Sequence, residues 1–280
     1  GASGNYGRLA IQNLLELGVA KEDIVAGARN VKKVSDLTSK GIKAVRFDYD
    51  DYESLINGLE GITHFIMVSV SQNDTPVNQH DLVIEAASKA KDLEMLAYTS
   101  VYHADISELP LAPIHRAAEE KIIEKRIPHI FLRDNAYMEM YLGYIFQGIR
   151  SGSIVSSAGD AKISGASRAD LAKAAAIAIL NPEYYGKTLE LSGDTAFDFN
   201  DFARIAGQYR KADVQLQNIT LEQSRQMMKH SGFGKRDLEV MTQLEKVTAE
   251  GKLYSEDHTL SEMLGRPTTT IEELMKQFVR

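Results

Sequence analysis

Short apolar runs alternate with amphipathic stretches through the first half of this 280-residue chain, and that alternation limits the fold more than any single motif. The runs "DIVAGAR", "KAVRFDYD", "THFIMVSV", "EMLAYTS" and "PHIFLRDN" have the length of buried strands. Between them lie stretches of helical period: Leu9, Ile11, Leu14 and Leu15 before the first run, then "YESLINGLEG", a segment from Pro76 to about Lys91, and Ile114–Glu124. Strand, helix and strand in succession close as βαβ units. The pattern therefore predicts a doubly wound parallel sheet with helices on both faces, the Rossmann class of α/β folds.

After Arg150 the rhythm changes. An Ala-rich helix, "ADLAKAAAIAIL", leads into one more strand, "KTLELSG", and from about Asp198 the segments are mostly helical around "DVQLQNIT". In "RPTTTIEELMKQF", Thr269 and Thr270 stand three residues before Glu272 and Glu273, the pattern of a capping box at a helix start. The expected organisation is a sheet domain over 1–192 and a smaller, mostly helical C-terminal domain over 193–280, packed on it to leave a cleft. With 44% hydrophobic and 25% charged residues the chain can build an ordinary core. A net charge of −7 argues against broad attraction to nucleic acid or anionic lipid, and the absence of cysteine excludes disulfides, thiolate metal sites and thiol catalysis. The longest apolar run, "AAAIAIL", is too short to span a bilayer. A cytoplasmic location is expected, with no metal.

The chain opens "GASGNYG", so Gly1, Gly4 and Gly7 form G-x-x-G-x-x-G ahead of an amphipathic helix. In a dinucleotide fold the first glycine permits the sharp turn out of a strand. The second lets the backbone approach a pyrophosphate, and the third lets helix and sheet pack closely. N–H groups at the helix start then face phosphate, which makes Ser3, Asn5 and Tyr6 candidates beside the glycines. Such a turn normally follows a central strand, so a few more residues, mostly apolar, are expected before Gly1. At the end of "DIVAGAR", where NAD-specific folds place an acid for the ribose hydroxyls, this chain has Arg29, with Lys32 and Lys33 behind it. A guanidinium there suits a 2′-phosphate, which points to NADPH; the same charges would also serve as a solvated helix start. Phe47, Asp48 and Tyr49 end the next strand, and Asp48 is placed either to bond an adenine or to cap the following helix.

Short-chain dehydrogenases reduce carbonyls with a Ser and a Y-x-x-x-K pair, the tyrosine donating a proton and the lysine lowering its pKa. None of the 12 tyrosines here has a lysine four residues on. Ser100 ends "LAYTS" where that serine would lie, but in the helix after it Leu111 takes the tyrosine position, His115 the lysine position and Glu119 that of a downstream glutamate. Ordinary carbonyl reduction is therefore disfavoured, whereas a strongly electrophilic acceptor such as a quinone needs less acid assistance. His115 is the candidate for proton transfer or for orienting a nicotinamide, or else a packing histidine. Asp134, Asn135 and Tyr137 follow the last strand of the series, where ligands of doubly wound sheets bind; Asp134 as a helix cap and Tyr137 packed on Tyr141 is the structural alternative.

Together these segments resemble the NmrA-like branch of the atypical short-chain dehydrogenases, most closely its bacterial NADPH:quinone oxidoreductases and triphenylmethane reductases. The likeness runs along essentially the whole chain: "GASGNYG", "VAGARN", "AYTSVYHAD", H-x-x-x-E before "IPHIFLR", "NAYMEMY", "AGDAKISGASRAD" and "LSEMLGRPTTT". It implies NADPH contacts at Gly1–Tyr6, Arg29, Val68, Ser69, Val70 and 132–137, an aromatic acceptor such as a quinone as partner, and a strand before Gly1. The sequence does not fix the oligomeric state, and a homo-oligomer is one expected form. In this branch Asn follows the arginine of "LRN", whereas here Asp134 does, and a carboxylate cannot donate the hydrogen bond of an amide. The expected activity is NADPH-dependent reduction of quinones or similar electron-poor aromatics by direct hydride transfer. The branch also holds non-catalytic NADP(H)-sensing regulators, which the missing Tyr and Lys fit equally. Sugar-nucleotide chemistry of the extended type is disfavoured by the same absence.

Overall fold

A computed structural model describes residues 1–70 and 76–279 of the chain. It runs through α1 (Asn5–Glu16), β1 (Val25–Ala28), α2 (Ser35–Thr38), β2 (Lys43–Arg46), α3 (Tyr52–Gly58), β3 (His64–Met67), α4 (Pro76–Lys89), β4 (Met95–Val101), α5 (Ala112–Glu124) and β5 (His129–Asp134). It continues through α6 (Leu142–Ser151), β6 (Ser153–Ser156), α7 (Arg168–Leu180), β7 (Thr188–Leu191), α8 (Phe199–Arg210) and β8 (Gln215–Asn218). The last helices are α9 (Leu221–His230), α10 (Lys235–Ala249), α11 (Thr259–Leu264) and α12 (Ile271–Phe278).

These elements form two compact units. The first comprises Gly1–Asp105, Leu111–Asp134 and Arg168–Leu191; the second comprises Ile106–Pro110, Asn135–Ser167 and Ser192–Arg280. A single boundary at 192/193 does not describe this division, because 135–167 folds with the C-terminal segments. The reason is pairing: β6 forms a parallel ladder with β8, and α6 packs on α8. A four-residue strand reading "SIVS" carries no periodicity from which that partner could be read.

In the first unit every ladder is parallel. The strand order β3-β4-β5-β7 forms one sheet and β1-β2 another, as the alternation of runs predicts for the α/β Rossmann class. β4 and β5 are buried almost throughout, which is why they read as unbroken apolar runs. Met67, Leu96, Tyr98 and Phe131 share a core with residues of α3, α4 and α5. Ala-rich α7 lies along β3, β4 and β5 and packs on α1; with no polar stripe, it is buried on nearly every side. A groove of about 530 Å³ separates the two sheets, lined by Val25 and Gly27 of β1, by His64, Phe65 and Ile66 of β3, and by Gly1, Ala2 and Ile11. It follows the strand bodies rather than their carboxyl ends, so it is not where a doubly wound sheet binds its ligand.

The second unit is built on an aromatic core of Tyr141, Phe197, Phe199 and Phe202, with Ile145, Ile271 and Leu274. Its last helix starts at the expected capping box. Thr270 Oγ1 accepts from the Glu273 N–H at 3.2 Å, and the Glu273 carboxylate accepts from the Thr270 N–H at 2.9 Å. Among the described residues, no helix is long and apolar enough to cross a membrane.

Candidate cofactor-binding and active site

The glycine turn is fixed by its own backbone. The Ala2 N–H donates to the Gly27 carbonyl at 3.0 Å, and the Gly4 N–H to the Gly1 carbonyl at 3.0 Å. A Cβ on Gly7 would stand 2.3 Å from the Gly1 oxygen, so the close approach of α1 to the turn requires glycine there. A Cβ on Gly1 would stand 2.7 Å from that of Val68, which puts the carboxyl end of β3 directly against the turn. Gly4, at the N-cap of α1, offers no side-chain cap, and no acid occupies the first turn. The helix start is therefore shaped for an anion. Ser3 and Asn5 are exposed beside it, whereas the Tyr6 ring is buried and its hydroxyl donates to the Leu171 carbonyl at 3.1 Å. Any contact from Tyr6 to a ligand would come from its main chain.

Arg29 follows β1, exposed, with no hydrogen bond or ion pair among the described residues. The nearest downstream acid, Asp36, is held by Arg8 at 2.6 Å, and that hydrogen bond lowers the Asp36 pKa. The end of β1 is thus left with the cations Arg29, Lys32 and Lys33. On the next strand end, Asp48 accepts from the Asp50 N–H at 3.3 Å and faces Arg46 at 3.4 Å. It does not cap α3: Asp51 does, accepting from the Ser54 N–H at 3.2 Å.

Past β3, the residues Val68, Ser69 and Val70 leave the sheet and are held by side chains. The Tyr49 hydroxyl donates to the Val68 carbonyl at 2.9 Å. The Ser69 N–H donates to Thr99 Oγ1 at 2.9 Å, and the Val70 N–H to His80 Nε2 at 3.1 Å. Sequence reasoning missed Thr99 and His80. A signal existed for the latter, since His80 stands on the same helical stripe as Val83, Ile84 and Ala87, all of them buried.

The helix register places His115 and Glu119 one turn apart, but they face different partners. His115 is 4% exposed, and its Nδ1 lies 2.9 Å from the Tyr98 hydroxyl. Burial, with His80 close by, pushes its pKa down to about 3. At neutral pH His115 is therefore a neutral core group, the arrangement of a packing histidine. Leu111 stands at the N-cap of α5 and supplies no hydroxyl in place of the missing tyrosine. Glu119 accepts from the Ser100 hydroxyl at 2.5 Å and pairs with Arg133 through two bonds, of 3.0 and 2.7 Å. Arg133 also reaches Asp105 at 2.8 Å and Glu190 at 2.9 Å. Burial alone would lower the guanidinium pKa, but its bonds to Glu119 and Glu190 hold it above the usual value. Ser100 and Glu119 thus belong to a structural ion-pair network, not to a proton relay.

Asp134 is buried at the end of β5, in register with Val101 and Leu191. Asn135 lies in the second unit, where its amide donates to Ser192 Oγ at 3.0 Å and to the Leu253 carbonyl at 3.2 Å, and its oxygen accepts from the Ala136 N–H at 2.7 Å. That side chain is fully engaged in packing. Tyr137 is half-buried and bridged to Ala166, ahead of a short 3₁₀ turn, while Tyr141 is buried in the aromatic core, so the two do not share a helix.

Residues 1–182 match the family model described as NAD(P)H-binding. The chain belongs to that family. It is 33% identical over 273 residues to Quinone oxidoreductase 2 of Escherichia coli K12, covering 98% of this chain and 95% of the relative. The structure superposes with a TM-score of 0.95 on the NADPH-dependent quinone oxidoreductase of E. coli complexed with NADPH, at 32% identity over 100% of this chain and 98% of the other. The triphenylmethane reductase of Citrobacter sp. complexed with NADP(H) gives a TM-score of 0.91 at 28% identity, over 99% and 97% of the two chains. The NmrA-like resemblance read from the motifs is borne out, and these relatives are oxidoreductases.

Proposed function

We propose that this chain is an NADPH-dependent reductase of quinones or similarly electron-poor aromatics. The observation that carries the reading is an uncapped glycine turn together with Arg29, which has no partner among the described residues, where an acid would select NAD. The residues fit the cofactor: Gly7 packs where no Cβ could stand, the α1 start offers backbone donors, and Arg29 supplies a fork for a 2′-phosphate. NADPH, when bound, supplies the hydride. Gly1–Gly7 hold its phosphates, Arg29 selects it over NADH, and Val68–Val70 border the turn. His115 is neutral and buried, Ser100 is bonded to Glu119, and Leu111 has no hydroxyl, so none of the three is a proton donor of the carbonyl-reducing type. That absence favours an acceptor whose reduction needs little acid assistance. Asp134 and Tyr137 are the side chains proposed to tune acceptor choice.

The test is nicotinamide absorbance with the purified chain, comparing NADPH with NADH before and after a panel of simple quinones. Acceptor-dependent loss of NADPH, faster than that of NADH, is expected. Tight NADPH binding with no oxidation across the panel would overturn the reductase reading in favour of a cofactor-sensing protein.

A further inference from the structure

One buried group of titratable side chains in the first unit has no part in that chemistry. His80 is 1% exposed, Tyr98 0% and His115 4%, and their rings meet at centroid distances of 5.7 to 6.1 Å. The order of donors along them is dictated from one end. A backbone N–H can only donate, so the bond from Val70 makes His80 Nε2 an acceptor and leaves the His80 proton on Nδ1. That proton faces the Tyr98 hydroxyl at 3.5 Å, the longest link. With the His80 proton directed at its oxygen, the Tyr98 hydroxyl keeps its own hydrogen for His115 Nδ1, 2.9 Å away. Each link orients the next, and the row ends on the backbone of the strand end that touches the glycine turn.

The location gives the row its meaning. Ladder pairing of β3 ends at Met67, and the three residues beyond it have side-chain partners where sheet partners would be. Val68 is bonded by Tyr49, Ser69 by Thr99 and Val70 by His80, each from a different element. Two of those partners are simple hydroxyl groups. The third is a histidine whose acceptor nitrogen is set by a neighbour. We propose that His80, oriented through Tyr98 and His115, is a positioning residue that fixes the Val68–Val70 backbone for cofactor binding. The proposal rests on the reading of that strand end as part of the NADPH site.

The local electrostatics keep the acceptor available. Burial pushes His80 down to about 4, against a raising influence from Asp81 on its own helix. Burial likewise raises the Tyr98 phenol, with Glu119 of α5 and Tyr49 adding to the effect. Near neutral pH all three groups are therefore uncharged, and the Nε2 lone pair stays directed at Val70. A protonated His80 would turn a second N–H toward the Val70 N–H and release it.

The experiment measures NADPH binding by nicotinamide fluorescence in the wild type, His80→Leu, His80→Gln and the near-isosteric Tyr98→Phe. Adenosine 2′,5′-bisphosphate, which lacks the nicotinamide half, serves as the second ligand, and hydrogen exchange is read at the Val70 amide. His80→Leu is expected to raise the NADPH Kd about tenfold, the scale of one lost hydrogen bond. His80→Gln, which keeps an acceptor oxygen, should recover most of that loss, and Tyr98→Phe should weaken binding about threefold. Exchange at Val70 should rise in the same order, while the bisphosphate, read by Arg29, binds all variants alike. Wild-type NADPH affinity in folded His80→Leu and Tyr98→Phe overturns the positioning role while leaving the site reading intact. A wild type that binds neither ligand overturns the site reading and the proposal with it.

Discussion

Arg133 of β5 grips Glu119 of α5 through two parallel hydrogen bonds, while in the sheet Arg133 stands in register with Ser100 on one side and Glu190 on the other. Carboxylates from α5 (Glu119), from β7 (Glu190) and from the loop after β4 (Asp105) therefore converge on one guanidinium. The Arg133 and Glu119 side chains are 11% and 6% exposed. In so little water, removing one partner leaves the other charge poorly compensated.

From that follows a stability prediction. Glu119→Leu should destabilise the folded chain by about 3 kcal/mol in urea titrations, because Arg133 would keep only the more exposed Asp105 and Glu190. Replacing both members with apolar residues, as Glu119→Leu with Arg133→Met, should recover most of that loss. A double variant less stable than either single one would show that the network has no such pairwise core.

Cofactor choice is read at Arg29. Arg29→Ala should weaken NADPH by about 1–3 kcal/mol, the range of a hydrogen bond to a charged group, and leave NADH nearly unchanged. Because Arg29 has no partner among the described residues, the substitution should not disturb folding, and thermal unfolding should coincide with that of the parent. Equal weakening of the two cofactors removes the 2′-phosphate role.

The glycines divide by geometry. Gly4 has φ −84° and ψ 168°, backbone that any residue adopts, and a Cβ there would meet only the Gly1 oxygen at 3.4 Å. Gly4→Ala should therefore fold normally yet bind NADPH at least tenfold more weakly, since the methyl stands where phosphate must approach the helix start. Gly7→Ala should lose stability as well as binding, by about 1–3 kcal/mol, because its Cβ collides with backbone. Calorimetry of both variants with and without NADPH separates the two effects.

The βαβ rhythm was legible because β4 and β5 are buried on both faces and carry no polar alternation to obscure them. The glycine turn and the position of Arg29 were legible because a turn and a strand end are both fixed by local order. The affiliation of 135–167 was not, since it depends on β6 finding β8 about 60 residues later in sequence. That His115 is a buried group was not legible, for a related reason. Its helix position is local, but its burial is set by Tyr98 and His80, which only tertiary packing brings alongside. The same packing hid His80, whose partner Val70 lies on another element.

Those buried histidines also set a pH dependence whose sign can be worked out. Both have folded-state pKa values below the ordinary 6.5, at about 4 for His80 and about 3 for His115, with burial as the first cause in each. Between pH 6.5 and those values the unfolded chain binds protons that the folded chain does not. Stability should therefore fall as pH is lowered through that window and level off below it, by on the order of 3 kcal/mol for His80 and about 5 kcal/mol for His115. Urea titrations at stepped pH measure the slope. His115→Gln removes one titrating group while offering Tyr98 an acceptor oxygen, so its stability should depend less steeply on pH between 6 and 4.5 than that of the parent, in keeping with the window above. An unchanged slope in that range would mean that His115 charges without resistance in the folded protein, and that the row from Val70 through Tyr98 does not hold it neutral.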